Sequence, residues 1–469
     1  MRELLEELMS RAKRAGAQFA DVRAGTWHGA SITAEDGRIH RCSTYSNRGA
    51  GLRVLVDGAW GFSQTDADDP AGLRAALDEA LAMAKAAGPH VAEKGRVAEA
   101  EPVDAVSSAP VRLPPDSIPL SQRVATVAAF EECLRKHHAA IVNTIVNYAD
   151  GGGVVELVNT FGTYVRWEGC TCSLYATAVA ADETTRQSAF TGYASPCGWE
   201  LVADLDPEKV AGAVAQRAVH LLSAVEPPAG PMPVIVDPEI TGLIVHEAFG
   251  HNCEADHVWA GASIVAGKEG ERVAALCVTI VDDPTWDWHN GSFEYDDEGL
   301  PARRHVLVQE GVLAEYLYDL EMAAHFGVPP NGAARAGSYR DRPMPRMSNT
   351  FMEPGDADLE DLIASVDRGV LVSGDRGGYV DTTRGHFTFF AETGFEIVNG
   401  RRGRQIRNCT LSGYTLETLQ GVLGLSRDFG LADRGTCGKH GQGVRVSLGG
   451  PHMLVREMTV GGSRIGEES

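Results

Sequence analysis

Helical and strand-like periods of apolar residues alternate along the first half of this chain. Residues Glu3–Ala15 place apolar side chains every three to four positions, which predicts a helix. Alternating segments follow near Phe19–Ala24, Ser31–Glu35, Gly51–Val56 and Ala59–Ser63, and a second helical period runs from about Asp69 to Ala87. The polar, proline-bearing stretch Ala98–Pro119 reads as a linker or surface loop. Then the plan returns. A helix is expected over Ser121–His137, with strands near Ile141–Tyr148, Val154–Asn159, Tyr164–Glu168 and Cys172–Ala180 and a closing helix over Pro207–Ala224. The recurrence is an architectural echo rather than a sequence repeat. Glu226-Pro227-Pro228-Ala229-Gly230-Pro231 is the sharpest break and puts a domain boundary there, giving 1–228 and 229–469.

Beyond the break the pattern changes to short strands divided by Gly, Pro and Asn: Ala274–Val281, His305–Gln309, Val312–Tyr316, Val370–Ser373 and Phe387–Thr393, with Glu310-Gly311 as a hairpin turn. The expected fold is α+β. An N-terminal α/β domain of antiparallel strands flanked by helices precedes a mostly antiparallel β domain, into which a single chemically dense helix is set.

That helix follows the buried-strand pattern Val234-Ile235-Val236 and starts at Asp237-Pro238. Ile240, Leu243 and Ile244 form its apolar stripe, which leads into His246-Glu247-Ala248-Phe249-Gly250-His251. Two imidazoles and a carboxylate grouped in this way suit a zinc ion and a general base. The motif is one residue longer than the zinc-peptidase pattern H-E-x-x-H. Residues five apart on a regular helix are rotated by about 140° from one another. His246 and His251 therefore share a metal only if the helix bulges by one residue or ends between them, and Gly250 tolerates either. The bland alternative is a core helix with one buried and one capping His.

A catalytic zinc usually takes three protein ligands. Cys253, Glu254, Asp256 and His257 are nearby candidates for the third. Cys437 is a distant one, in the glycine-flanked run Gly435-Thr436-Cys437-Gly438-Lys439-His440-Gly441. Lys439 and His440 are expected to favour its thiolate. An ordinary glycine-rich turn with an incidental Cys is the competing reading.

Composition narrows the class. The chain has 469 residues and a net charge of −22, which argues against nucleic acid or an anionic membrane surface as partner. Nine cysteines, odd in number and scattered, do not read as a secreted disulfide framework. The first residues lack a signal peptide's apolar core, and no stretch reaches the roughly 20 apolar residues of a spanning helix. The expected compartment is the cytoplasm.

Six segments together resemble the TldD/PmbA family of metallopeptidases, in its TldD branch. They are His246–Asp256 (HEAFGHNCEAD), Asp296–Gly299 (DDEG), Pro343–Gly355 (PMPRMSNTFMEPG), Gly377–Thr382 (GGYVDT), Gly435–Lys439 (GTCGK) and Thr459–Gly462 (TVGG). The resemblance implies zinc held by His246, His251 and Cys437, with Glu247 as the catalytic base. It also implies short peptides, leader segments or unfolded chains as substrates. The partner it implies is a second copy of the chain or a TldE/PmbA-like subunit. An extended peptide pairing with a strand beside the metal is one binding route, with Gly377–Thr382 and Asn349-Thr350 as candidate edges. Asp296-Asp297-Glu298 is expected to be a solvated acidic turn. Two other readings compete: an exopeptidase resembling dipeptidyl peptidase III, and a non-enzymatic protein with a structural metal.

Overall fold

The computed structural model describes residues 1–286 and 288–462; the end of the 229–469 division, residues 463–469, lies outside them. Helices Arg2–Arg14, Pro70–Ala87, Leu120–Lys136 and Pro207–Ser223 form where the helical periods predict them. Asp69 and Asp206 cap two of these, each accepting backbone N–H groups of the first turn ahead of a proline. Each pair of helices covers its own core. The first pair packs Leu5, Leu8, Leu73 and Leu77 on Val22, Leu52 and Val54. The second packs Val127, Phe130, Val214 and Ala218 on Val146, Leu174 and Ala176.

The strands beneath them are longer than their periodicity suggests. Phe19–Glu35 is a single strand, as are Arg38–Val56, Ile141–Asn159 and Tyr164–Ala181. The two echoed units join edge to edge, Phe19–Glu35 pairing antiparallel with Ile141–Asn159, into one seven-stranded sheet. Gly151-Gly152-Gly153 looks like a break in the sequence but is extended ladder throughout. A Cβ on Gly151 would meet Trp27 Nε1 at 2.4 Å and one on Gly153 the Thr26 carbonyl oxygen at 1.9 Å, so these glycines make room for a ring and for the neighbouring backbone and do not turn the chain. The expected linker Ala98–Pro119 also contributes a strand, Asp104–Ser108, parallel to Tyr164–Glu168.

The second half builds two six-stranded sheets. In one, Gly430–Lys439, Gln442–Gly450, Asn349–Met352 and Ile280–Asp282 lie side by side. In the other, Met453–Gly462 pairs with Gly230–Val236 and also with Cys409–Ser412, closing a ring of strands. Pairing is antiparallel except at 349–351 with 447–449 and 370–372 with 234–236. Glu310 and Gly311, at φ 48° and 81°, form the expected two-residue hairpin turn. His440 and Gly441, at φ 49° and 79°, make another.

Four expectations change. The strand at 274–281 is confined to Ile280–Asp282, and Val312–Tyr316 shortens to Val312–Leu313. Asn349-Thr350 is not an edge, because Asn349–Met352 has neighbours on both sides. Asp296-Asp297-Glu298 is not a solvated turn either. Asp296 and Glu298 are buried, and Glu298 Oε1 accepts from Arg53 Nη2 at 2.8 Å. Arg53 also holds Asp21 across the strands 19–35 and 38–56. Burial works against the charge on Arg53, but Asp21 and Glu298 outweigh it and push its pKa up. The turn is thus a charged lock between the N-terminal sheet and the second half of the chain.

Candidate metal centre

Strand Gly230–Val236 runs into Asp237, whose carboxylate accepts the Ile240 N–H at 2.9 Å and starts helix Pro238–Leu243. The coil then widens. Ile244–Phe249 is a π-helical segment, and Gly250–Cys253 tightens into a 3₁₀ turn. The wider coil absorbs the extra residue of the motif and brings the rings of His246 and His251 to 5.4 Å between centroids. Gly250 leaves room for the packing here: a Cβ would lie 2.0 Å from Met347 Sδ and 3.1 Å from the Val245 carbonyl oxygen.

Cys437 comes from strand Gly430–Lys439, whose hairpin folds back over the motif helix. Its Sγ lies 3.3 Å from His251 Nε2, and ligand atoms of His246, His251 and Cys437 all fall within 4.8 Å of one another. Glu247 stands beside them, with Oε2 3.6 Å from His251 Nε2 and Oε1 4.0 Å from His246 Nε2. His246 is fully buried, whereas the Glu247 side chain is 37% exposed, so the carboxylate lies at the open side of the cluster.

Partners on the far ring nitrogens aim both imidazoles. His251 Nδ1 lies 2.9 Å from Glu254 Oε2; a carboxylate only accepts, so the proton sits on Nδ1. His246 Nδ1 lies 3.3 Å from Thr350 Oγ1, whose own proton goes to Asp282 Oδ1 at 2.8 Å. Thr350 therefore accepts from His246 Nδ1–H, and both Nε2 atoms point into the cluster. His246 Nε2 is buried with no hydrogen-bond partner.

The electrostatics match. Burial alone would raise the Cys437 thiol, but His246 and His251 bring it down to about 5. Lys439, expected to favour the thiolate, is occupied elsewhere: its Nζ holds Glu254 at 3.0 Å, Asp256 at 2.7 Å and the Pro345 carbonyl at 3.1 Å. Burial disfavours charge on the imidazoles, yet the Cys437 sulfur at His246 and the Glu254 carboxylate at His251 raise both above the ordinary range. A divalent cation entering the cluster displaces these protons. Two nitrogen lone pairs and a thiolate within 4.8 Å of one another, with His251 and Cys437 at 3.3 Å, are a donor set that fits a tetrahedral zinc.

The other sequence candidates play different parts. Glu254 is buried among His251, Lys439 and Arg346 and orients rather than joins the cluster. Cys253 is packed in the apolar core, with its thiol pushed well up by burial. Asp256, His257 and His440 gather as a second group, with Asp256 already bound to Lys439. Sequence reasoning did not find Thr350 and Asp282, because nothing local marks two residues 68 apart in the chain as one hydrogen-bonded relay.

Comparisons with known proteins bear on the family. Models of PmbA/TldA metallopeptidase domain 1, central domain and C-terminal domain match residues 20–84, 113–222 and 229–462. A metalloprotease of Methanothermobacter thermautotrophicus is 37% identical, covering 95% of this chain and 96% of that protein. A zinc metalloprotease TldD homolog of Saccharolobus solfataricus is 29% identical, covering 97% and 99%. The crystal structure of TldE from Thermococcus kodakarensis superposes with a TM-score of 0.79 at 20% identity, covering 98% of this chain and 100% of that one. With relatives alike over nearly their whole lengths and all three domain models matched in order, the chain belongs to the TldD branch of the TldD/PmbA metallopeptidase family.

Proposed function

We propose that this chain is a zinc-dependent peptidase of the TldD type that hydrolyses short peptides, leader segments or unfolded chains. The convergence of His246, His251 and Cys437 within 4.8 Å, with Glu247 at its open side, is the observation that supports this most. Those three residues would hold the metal, in a catalytic domain of residues 229–469 that follows an α+β domain of residues 1–228. Bound there, zinc supplies a Lewis acid that polarises the scissile carbonyl. Glu247 takes a proton from the attacking water and returns it to the leaving nitrogen. Glu254 and Thr350 keep the two imidazoles from rotating as charge moves through the site.

Gly378–Asp381 pairs on one side with His386–Phe389, and among the described residues no strand pairs with its other side. Tyr379 is 75% exposed there, and an extended substrate can add to that edge. Asp375, earlier in the same strand, has its pKa raised by burial and, to a smaller extent, by the Glu247 charge. Among the described residues the donor cluster has three members and not the four of a closed structural zinc site. We further propose a dimer, with a second copy or a TldE-like subunit, in the cytoplasm, where nine unbridged cysteines are at ease.

The test is peptide digestion by metal-loaded protein, alone and with a TldE-like partner, with and without a chelator. Cleavage should stop on chelation, and Cys437→Ser should lose most of its zinc by elemental analysis. Chelator-insensitive cleavage would refute a metallopeptidase, and wild-type zinc in Cys437→Ser would remove that residue from the ligand set.

A further inference from the structure

A cavity of about 690 Å³ lies where the N-terminal sheet meets the segment 335–340 and the strand Gln442–Gly450. That is the size of a small-molecule site. Its walls have opposite chemistry. One is aromatic: Trp27 and Trp167 stack with centroids 5.3 Å apart and planes at 21°, and Tyr45 continues the surface, while Phe293 lies against Arg335 on the other. Gly151 lies beneath Trp27 and Tyr45, and a Cβ there would come within 2.4 and 2.5 Å of them. The backbone has been cleared for these rings.

The other wall is basic, with Arg23, Arg335 and Arg445. Arg23 is accounted for, since it pairs with Asp297 at 3.6 Å and donates to two backbone carbonyls. Arg335 donates to the Met347 carbonyl at 2.7 Å and lies 5.1 Å from the Phe293 ring. Arg445 donates to the Asn290 carbonyl at 2.7 Å. Among the described residues neither forms an ion pair with a carboxylate. Asp297 is shared between Arg23 and the Ala336 N–H at 2.8 Å. Asp296 is turned to the amides of Glu298, Leu300 and Ala334.

Burial lowers both arginines to about 10, and at Arg335 the charge of Arg445 adds to the effect. Both stay charged at neutral pH and repel each other. Asp297 is the acid that acts most on both, but it is engaged by Arg23 and the Ala336 N–H, and two guanidiniums lining a cavity with no ion pair of their own are costly to keep unless something pairs with them. Their planar forks match a carboxylate, and the facing rings match an apolar body.

We infer that this cavity binds an organic carboxylate with an aromatic or apolar body, Arg335 and Arg445 taking the carboxylate and Trp27, Trp167 and Phe293 the body. A free small acid and the C-terminal end of a peptide share this chemistry. The inference does not rest on the metal reading.

Calorimetric titration tests it, on the full chain both metal-loaded and chelated. The probes are 3-phenylpropionate and its amide, and a phenylalanine-ending peptide with free or amidated terminus, the peptides being run on chelated protein to avoid cleavage. Saturable binding of the acid is expected, with the amide at least about tenfold weaker and binding unchanged by chelation. Arg445→Gln should weaken the acid at least about tenfold and leave the amide unchanged. Arg445 donates to a single backbone carbonyl, that of Asn290, and unfolding curves of the variant and the wild type check that the fold is kept. Binding of 3-phenylpropionate supports a free acid as occupant, and binding of the acid-terminated peptide alone supports a chain end. The inference is overturned if neither acid binds, if acid and amide bind alike, if chelation abolishes binding, or if Arg445→Gln binds as the wild type does.

Discussion

The turn Asp296–Gly299 and the widened helix Ile244–Phe249 both bury ionisable groups that the sequence shows as short polar runs, but they treat those groups differently. At the turn, Arg53 donates to Asp21 and to Glu298 Oε1, and Glu298 Oε2 accepts the Leu320 N–H at 2.7 Å. Each carboxylate has its donors. At the helix, the far ring nitrogens are held by Glu254 and Thr350, while the near ones face a sulfur and His246 Nε2 has no hydrogen bond at all. A buried polar atom left unpaired costs about 1–3 kcal/mol. Here the unpaired nitrogen lies where two further donor groups converge, so a ligand would complete it. The closed network fits a structural role and the open one fits the proposed site.

Glu247→Gln breaks the comparison on its functional side. It removes the base but no proposed ligand, so peptide hydrolysis should fall about 10²–10⁴-fold while zinc content stays at the wild-type level. Turnover near wild type would remove Glu247 from the chemistry; loss of zinc with the activity would make it a ligand.

Arg53→Met attacks the closed network instead. It leaves Asp21 and Glu298 buried without their cation and should cost about 3–5 kcal/mol in chemical denaturation. Zinc bound per folded molecule should not change. Replacing all three partners by apolar residues of similar size (Asp21→Leu, Arg53→Met, Glu298→Met) should recover much of the loss. A single variant as stable as the wild type would mean that the lock does not hold the two halves together.

Glu254→Gln falls between the two cases, because Glu254 belongs to both kinds of network. It orients His251 and neutralises Lys439. Weakening an outer partner of this kind typically lowers metal affinity about 10–100-fold. Competition with a chromophoric chelator reads that shift, and unchanged affinity would show that the His251 ring is fixed by packing alone.

How much of this was legible in the sequence depends on whether the signal is local. The four long helices are set by apolar spacing and by caps such as Asp69 and Asp206, and all are readable. Of the proposed donor set, His246 and His251 were readable from one motif, whereas Cys437 was one of several candidates for the third place and was singled out only by the family resemblance. Glycine was misread. Gly151-Gly152-Gly153 permits a turn, but what decides its conformation is the ring of Trp27 on the neighbouring strand. The acidic run at 296–298 was misread for the same reason, because its cation, Arg53, lies 245 residues away from Glu298. Lys439 was credited to Cys437, its neighbour in sequence, whereas in space it serves Glu254 and Asp256. Each of these errors gave a residue a local role when a distant partner had fixed it.

Glu315 sharpens the comparison at its weak end, because it is a carboxylate with several donors that is only partly withdrawn from water. Its side chain is 22% exposed and accepts from Arg303 at 2.5 Å and from the Val306 N–H at 3.0 Å. Burial would raise its pKa, but His305 and Arg303 outweigh burial and bring it from 4.5 down to about 2. A carboxyl that is more acidic in the folded state stabilises the fold above its unfolded pKa, and that contribution fades as pH falls from about 4.5 toward about 2. Glu315→Gln should therefore be less stable than the wild type at pH 7, by roughly 2 kcal/mol. The gap between the two proteins should narrow through the acid range and close near the bottom of it. Urea denaturation of both proteins at neutral pH and at steps below 4.5 measures the gap. A difference independent of pH would mean that the substituted amide disturbs packing and not charge, and satisfied carboxylates outside the Arg53 lock would then add little to this fold.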